Sequence, residues 1–176
     1  LGCNDFTSRQ ITVDESGFRL LAHIDSVRPY PGNIMGPFRF FHPIMPCNHG
    51  LLVTGGNAAI DIQSTKLTGS FNARLYVEKD WGDTFPERYI WAHAEFPDED
   101  CSLFFSAAAV AVANVKFPGF IANIVLDGRD HTFATWNLST LKITGNSQDI
   151  QIAMSNQKMK VIFRTKPRHS VSLQSP

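Results

Sequence analysis

No stretch of this chain sustains a helical period behind a capping box, whereas short alternating runs recur along it between turn residues. A side-chain period of two belongs to strands, and turn signals spaced regularly between such runs are the pattern of an all-β barrel or sandwich. Runs at 11–13 and 18–27 flank Glu15-Ser16-Gly17, and runs at 50–54, 58–63 and 66–80 follow. The last is long enough to bend, with Gly69 as its expected kink. Strands are also predicted over 87–96, 102–115, 119–126 and 130–136, with Asp127-Gly128-Arg129 the clearest hairpin turn. A further hairpin is predicted from 149–154 and 158–165 about Ser155-Asn156. Residues 28–46 carry Pro29, Pro31, Pro37, Pro43, Gly32 and Gly36 beside Phe38, Phe40 and Phe41. They are too broken for a central strand and read as a loop or boundary crossing. The expected fold is antiparallel all-β.

A chain of 176 residues fits one domain with a core large enough to stand without disulfides. Sixteen basic residues balance sixteen acidic ones, and no basic run or patch argues for nucleic acid. The most apolar run, 103–112, falls short of the about 20 residues that a bilayer requires. No transmembrane segment is expected, which leaves peripheral membrane contact open. Cys3, Cys47 and Cys101 make an odd count without metal-type spacing, and this favours a reducing intracellular or organellar compartment over a disulfide framework. His42, Cys47 and His49 match no standard metal spacing, so no metal is expected. Thr54-Gly55-Gly56-Asn57 reads as a turn without the lysine of a phosphate cradle, and no nucleophile elbow is present. His131, beside Asp130, reads as solvated. Leu1-Gly2-Cys3 lacks the apolar segment that a lipid-attachment site requires. The start without methionine and the end at Ser175-Pro176 suggest a trimmed chain.

The segment 75–93 concentrates acids, bases and five aromatic side chains around Trp81-Gly82. Alternation puts Tyr76, Glu78 and Asp80 on one strand face, opposite Val77 and Lys79. On the next strand Tyr89, Trp91, His93 and Glu95 share one face, and Ile90, Ala92, Ala94 and Phe96 the other. A face that joins carboxylates, imidazole and large rings reads as a ligand cavity, because buried polar groups need partners. The competing reading of Glu78, Lys79 and Asp80 is a strand-end ion cluster that steadies the Trp-Gly turn. Trp81 and Trp91 read as core rings with satisfied indole N–H groups ahead of cation-stabilising walls, and both readings hold if the rings line a cavity. The alanines at 107, 108, 109, 111 and 113 either admit bulky neighbours or leave the space in which a ligand sits.

The motif Tyr76-x-Glu78-Lys79-Asp80-Trp81-Gly82-x-x-Phe85-Pro86-x-x-Tyr89-x-Trp91 resembles the tocopherol cyclase family and its bacterial relatives. Asn4-Asp5-Phe6-Thr7, Arg28-Pro29-Tyr30-Pro31 and the block from Pro43 to Gly50 extend the resemblance upstream. Leu126-Asp127-Gly128 and Phe133-Ala134-Thr135 extend it downstream. The resemblance implies tandem lipocalin-like β-barrel halves, with residues 1–46 as the edge of a preceding unit and its connection, and 47–176 as the barrel that carries the motif. It implies binding, and cyclisation to a chromanol, of a prenylated hydroquinone or similar apolar isoprenoid. The reaction is redox-neutral and needs no cofactor. An acid must protonate an alkene, a base must take the phenol proton, and aromatic walls must exclude water and face the developing cation. The resemblance implies Asp80, Glu78 and His93 as the catalytic candidates. It implies Tyr76, Trp81, Phe85, Tyr89, Trp91, Glu95 and His49 as the ligand-binding ones. The alternative is a non-catalytic lipocalin-like carrier or a scaffold subunit of a larger protein assembly.

Overall fold

The computed structural model describes residues 4–112, 115–146 and 149–166. Leu1-Gly2-Cys3, Ala113 and Ser175-Pro176 lie outside them. Strands β1 (Asp5–Phe6), β2 (Gln10–Glu15), β3 (Phe18–Pro29), β4 (Cys47–Ser64) and β5 (Thr68–Arg74) follow one another across the first sheet. β6 (Val77–Gly82) joins it by pairing with the part of β4 that β5 leaves free. The second sheet has the order β10-β9-β8-β7, from β7 (Tyr89–Phe96), β8 (Cys101–Val112), β9 (Val115–Leu126) and β10 (Arg129–Ala134). A third sheet holds β11 (Thr140–Gly145), β12 (Ile150–Ser155) and β13 (Lys160–Thr165). Every ladder is antiparallel.

The all-β antiparallel expectation holds, but no ladder among the described residues closes a barrel. β6 and β7 meet through side chains, Trp91 Nε1 donating to Glu78 Oε2 at 3.1 Å, and not through backbone pairing.

Three local expectations also change. Thr54-Gly55-Gly56-Asn57 is not a turn but the middle of the 18-residue β4. A Cβ at Gly56 would lie 2.3 Å from the Ser26 carbonyl oxygen, so the glycine serves a close approach of two strand backbones beside a bulge in β3. The run 66–80 breaks at Leu75-Tyr76, not at Gly69, which pairs in register with Ile62. That break sends β5 along one half of β4 and β6 along the other. β11 appears where no strand was expected.

Alternation sorts the two faces of the second sheet. Ile90, Ala92 and Ala94 of β7 turn toward a core of Leu103, Phe105, Phe120, Phe133, Ile152 and Met154, which the third sheet covers. Full burial of side chains such as Phe105 and Phe133 is worth about 1.5–3 kcal/mol each. The opposite face of the second sheet meets the first, and this inter-sheet space is polar as well as apolar. Arg28 of β3 grips Asp130 of β10 at 2.7 Å, Tyr30 shares a hydrogen bond with Thr132, and Ser102 Oγ donates to the Thr54 carbonyl. At one end Ile34, Met35, Met45, Leu51 and Phe104 form a second apolar cluster.

The proline-rich segment is therefore a loop pinned to the molecule at Ile34, Met35 and Met45. Ile34 is fully buried, and the Trp136 indole donates to its carbonyl at 3.0 Å. Gly36, at φ +53°, lies so close to that indole that a Cβ would come within 2.5 Å of the ring. A two-turn 3-10 helix, Gly36–Phe41, follows.

Candidate functional site

Between the first two sheets, at the end closed by the proline-rich segment, lies an open cavity of about 1010 Å³. That volume suits a molecule of lipid or cofactor size. Its walls come from Met35, Phe38 and Ile44 on the segment before β4, from Phe85 and Tyr89 around the start of β7, and from Phe117 of β9. The space is left by small residues: Ser106, Ala108, Ala109 and Gly119 line it, and Ala108 stands opposite Gly119 in the β8–β9 ladder. Of the two readings of the alanine run, Ala108 and Ala109 fit the one that leaves room.

The floor is polar. Antiparallel register sets His49 of β4 directly opposite Asp80 of β6, with Glu78 two residues away on the same face. His49 Nδ1 is in close contact with Asp80 Oδ1, and Nε2 lies 3.7 Å from Glu78 Oε2. Glu78 Oε2 in turn accepts hydrogen bonds from the Tyr76 hydroxyl and from Trp91 Nε1. Phe104 lies flat against the His49 ring with centroids 4.9 Å apart. Only 9% of His49 is exposed, and its Nε2 is buried without a hydrogen-bond partner.

Burial governs the charges here. It pushes the His49 imidazole below its usual range, against the pull of the Asp80 and Glu78 carboxylates. It pushes Asp80 above the usual carboxyl range, assisted by Glu78 and opposed by His49. The two opposite shifts bring the proton affinities of the imidazole and the carboxyl closer together. Burial and the bond to Glu78 hold the Tyr76 phenol far above its ordinary value, so it acts as a hydrogen-bond donor. Burial likewise raises the Cys47 thiol, which leaves it a weak nucleophile at the cavity edge.

One donor atom from each of His49, Glu78 and Asp80 falls within 4.8 Å of the others, a spacing that a divalent ion spans. Asp80 Oδ1 and Glu78 Oε2 are already engaged by His49, Tyr76 and Trp91, however, and a metal would have to displace these contacts. The donor set reads as a proton-holding cluster.

The other candidate residues separate by depth. Phe85, Tyr89 and Trp91 line the cavity, with Phe85 and Tyr89 about 60% exposed at its mouth. Tyr76 stands behind the floor, stacked on the His93 ring at 3.8 Å. His93 does not reach the cavity; its Nε2 lies 3.4 Å from Glu95, which faces Arg74 at 3.7 Å. Trp81 lies on the outer face, where Lys79 sits 5.8 Å above its ring. His42 and Cys47 provide no partner for His49, whose carboxylates come from 29 and 31 residues further on. Cross-strand register, not local spacing, makes the site.

No curated protein and no solved structure is significantly similar to the chain. A family profile does match, that of the tocopherol cyclase-like proteins, over residues 34–166. The match runs from the buried Ile34 of the cavity wall, through His49, Glu78, Asp80 and Trp91, to the end of β13. The chain belongs to the tocopherol cyclase-like family.

Proposed function

We propose that the cavity binds a prenylated hydroquinone, or a similar apolar isoprenoid with a ring hydroxyl, and closes it to a chromanol-type ether. The observation that carries this reading is the His49–Asp80–Glu78 cluster at the floor of a large, mostly apolar cavity. Carrier function alone needs an apolar cavity; it does not need two carboxylates and an imidazole held at the bottom of one. The prenyl chain lies against Met35, Phe38, Ile44 and Phe117, and the hydroxyl end meets the floor.

The chemistry follows from those groups. Asp80, its carboxyl pushed above the usual range by burial, delivers its proton to the trisubstituted alkene. Positive charge develops at the tertiary carbon beside the Trp91 ring, which lines the cavity next to the acid cluster. The ring hydroxyl oxygen attacks that carbon and its proton passes to a base on the floor. One C–H and one C–O bond form, one O–H bond and the alkene π bond break, and no electrons are gained or lost. A lipocalin-like tandem arrangement, with this segment as its second unit, is the architecture that suits such a cavity.

The test is incubation of the purified protein with a prenylated hydroquinone under argon, followed by chromatography for a product of unchanged mass. Formation of the isomer, abolished in Asp80→Asn while binding persists, supports the cyclase reading. Binding by both proteins without any isomer reduces the activity to that of a carrier. No binding by either protein removes both readings in favour of an assembly role.

A further inference from the structure

We propose that the mouth of the cavity is a membrane-docking surface, which rests against a lipid bilayer while the apolar ligand passes between bilayer and cavity. The proposal rests on the reading above, which supplies the apolar ligand, and names the phase from which that ligand comes.

Two connections frame the mouth. One runs from Gly36 to Pro46 before β4, the other from Asp83 to Arg88 before β7, and both contribute lining residues to the cavity. Large apolar side chains on and beside them stand in solvent: Phe40 is 71% exposed, and Phe41, Ile44, Phe85 and Tyr89 are exposed with it. Phe40 and Phe41 do not line the cavity; they lie between Phe38 and Pro43, which do. The 3-10 helix that carries them has no buried residue, so core packing does not account for its phenylalanines. Exposed apolar residues scattered singly are ordinary, whereas five gathered around one opening mark an interaction site.

Shape and charge say what covers the patch. The exposed side chains stand around an opening, so a rigid protein partner would meet the rim and leave the apolar interior behind it unfilled. Acyl chains conform to such a rim, and the interior then becomes continuous with the hydrocarbon that the ligand leaves. Phenylalanine suits the acyl boundary, and Tyr89 offers it a ring with a hydroxyl for the headgroup side. The charges beside the mouth are Arg39, Arg88 and Lys116 against Asp83 and Glu87, with His42 among them. They nearly balance, and the two connections carry no run of basic residues of the kind that holds a protein to anionic lipid. Arg39 lies over the Phe40 ring at 4.7 Å, a place from which its guanidinium can stay among headgroups as the ring enters the acyl region. Docking is therefore by apolar insertion, and neutral lipid suffices for it.

Flotation of the purified protein with phosphatidylcholine vesicles tests this. The wild-type protein should partition onto them, with less than about a threefold change on adding salt or phosphatidylserine. Phe40→Ser/Phe41→Ser should lower the partition about 100-fold. Both side chains are exposed and outside the cavity lining, so affinity for a hydroquinone supplied in detergent should match wild type. Phe6→Ser removes a comparably exposed ring from β1, no residue of which lines the cavity, and should leave the partition unchanged. In Phe40→Trp the added indole emission should shift to the blue on vesicles and be quenched by lipids brominated near the headgroup end of the chain. Docking is overturned if the wild-type protein does not float, if the double variant floats equally well, or if Phe6→Ser loses as much. A lipid-free dimer that the double substitution dissociates also overturns it, because a second copy would then close the patch. Wild-type protein that binds hydroquinone in detergent but does not float keeps the ligand reading and ends the docking; one that floats but binds no hydroquinone does the opposite.

Discussion

Replacing Asp80 by asparagine should change how stability depends on pH more than it changes stability at neutrality. In the wild-type protein two opposite shifts work against each other. Unfolded His49 takes up a proton below about pH 6.5, while folded His49, buried and pushed down, does not. On its own this makes the folded state lose stability as pH falls. Asp80, pushed up by burial, keeps in the folded state a proton that the unfolded chain releases above about pH 3.9. On its own this makes the folded state gain stability as pH falls. Between those limits the two terms oppose each other, so the pair contributes less slope than either group would alone. Asp80→Asn removes the second term and leaves the first, since His49 is still buried and has lost the carboxylate that pulled its value upward. One proton of imbalance is worth about 1.4 kcal/mol per pH unit, and integration from pH 7 to pH 5 gives a loss of at most about 2 kcal/mol relative to wild type. Glu78, 3.7 Å from Nε2, lifts His49 partway back and trims the figure. Urea unfolding of both proteins at pH 7, 6 and 5 measures it. Parallel stability profiles would show that His49 and Asp80 do not share a proton, and the acid role of Asp80 would go with it.

Other substitutions separate the cavity from the core. Trp91, 44% exposed and on the cavity wall, is not the core ring its sequence position permits; Trp91→Ala should cost about 1 kcal/mol, well under the about 3–5 typical of a buried ring, and should weaken ligand binding measured by fluorescence titration. Phe105→Ala should show the reverse pattern, since Phe105 is fully buried on the other face of β8 with an edge contact to Phe163: a loss of about 3–5 kcal/mol in urea melts with ligand affinity preserved in whatever remains folded. Gly36→Ala should destabilise by about 1 kcal/mol or more, because φ is positive and the new Cβ strikes the Trp136 ring, and near-ultraviolet circular dichroism should report the displaced indole.

Much of this architecture was legible where a strand has one polar and one apolar face. The alternation of Tyr76, Glu78 and Asp80, and of Tyr89, Trp91, His93 and Glu95, gave the inward faces of β6 and β7 correctly, because a period of two leaves few choices. The errors fall where backbone crowding or long-range pairing decides. Gly55-Gly56 carries a turn composition, yet it lies mid-strand because β3 passes too close for side chains. Nearness in sequence offers His49 no partners, whereas Asp80 and Glu78 reach it through the β4–β6 register. His93 shares a face with Trp91 but sits two positions deeper along β7, behind Tyr76, so a correct face did not yield a correct depth. Face is local information; depth depends on where the opposing sheet and the proline-rich wall come to rest.

That distinction divides the labour within the site itself. The groups that handle protons sit on β4 and β6, paired strands whose relative placement is fixed residue by residue. The groups that set the cavity's shape sit mostly on connections: Met35, Phe38 and Ile44 before β4, and Phe85 between β6 and β7. Connections tolerate substitution and insertion better than paired strands do, so the shape of the accepted chain can change while the His49–Asp80 geometry stays put. The wall before β4 is nevertheless anchored, since Trp136 holds the Ile34 carbonyl and stacks so close to Gly36 that no side chain fits there. Variation in ligand size should therefore concentrate at Phe38, Ile44 and Phe85, beyond the anchor, and leave Ile34, Gly36 and Trp136 unaltered. A library randomised at those three positions and screened against hydroquinones of increasing prenyl length should move the preferred length without moving the pH profile. If the pH profile moved with it, wall and floor would be coupled and the division would be wrong.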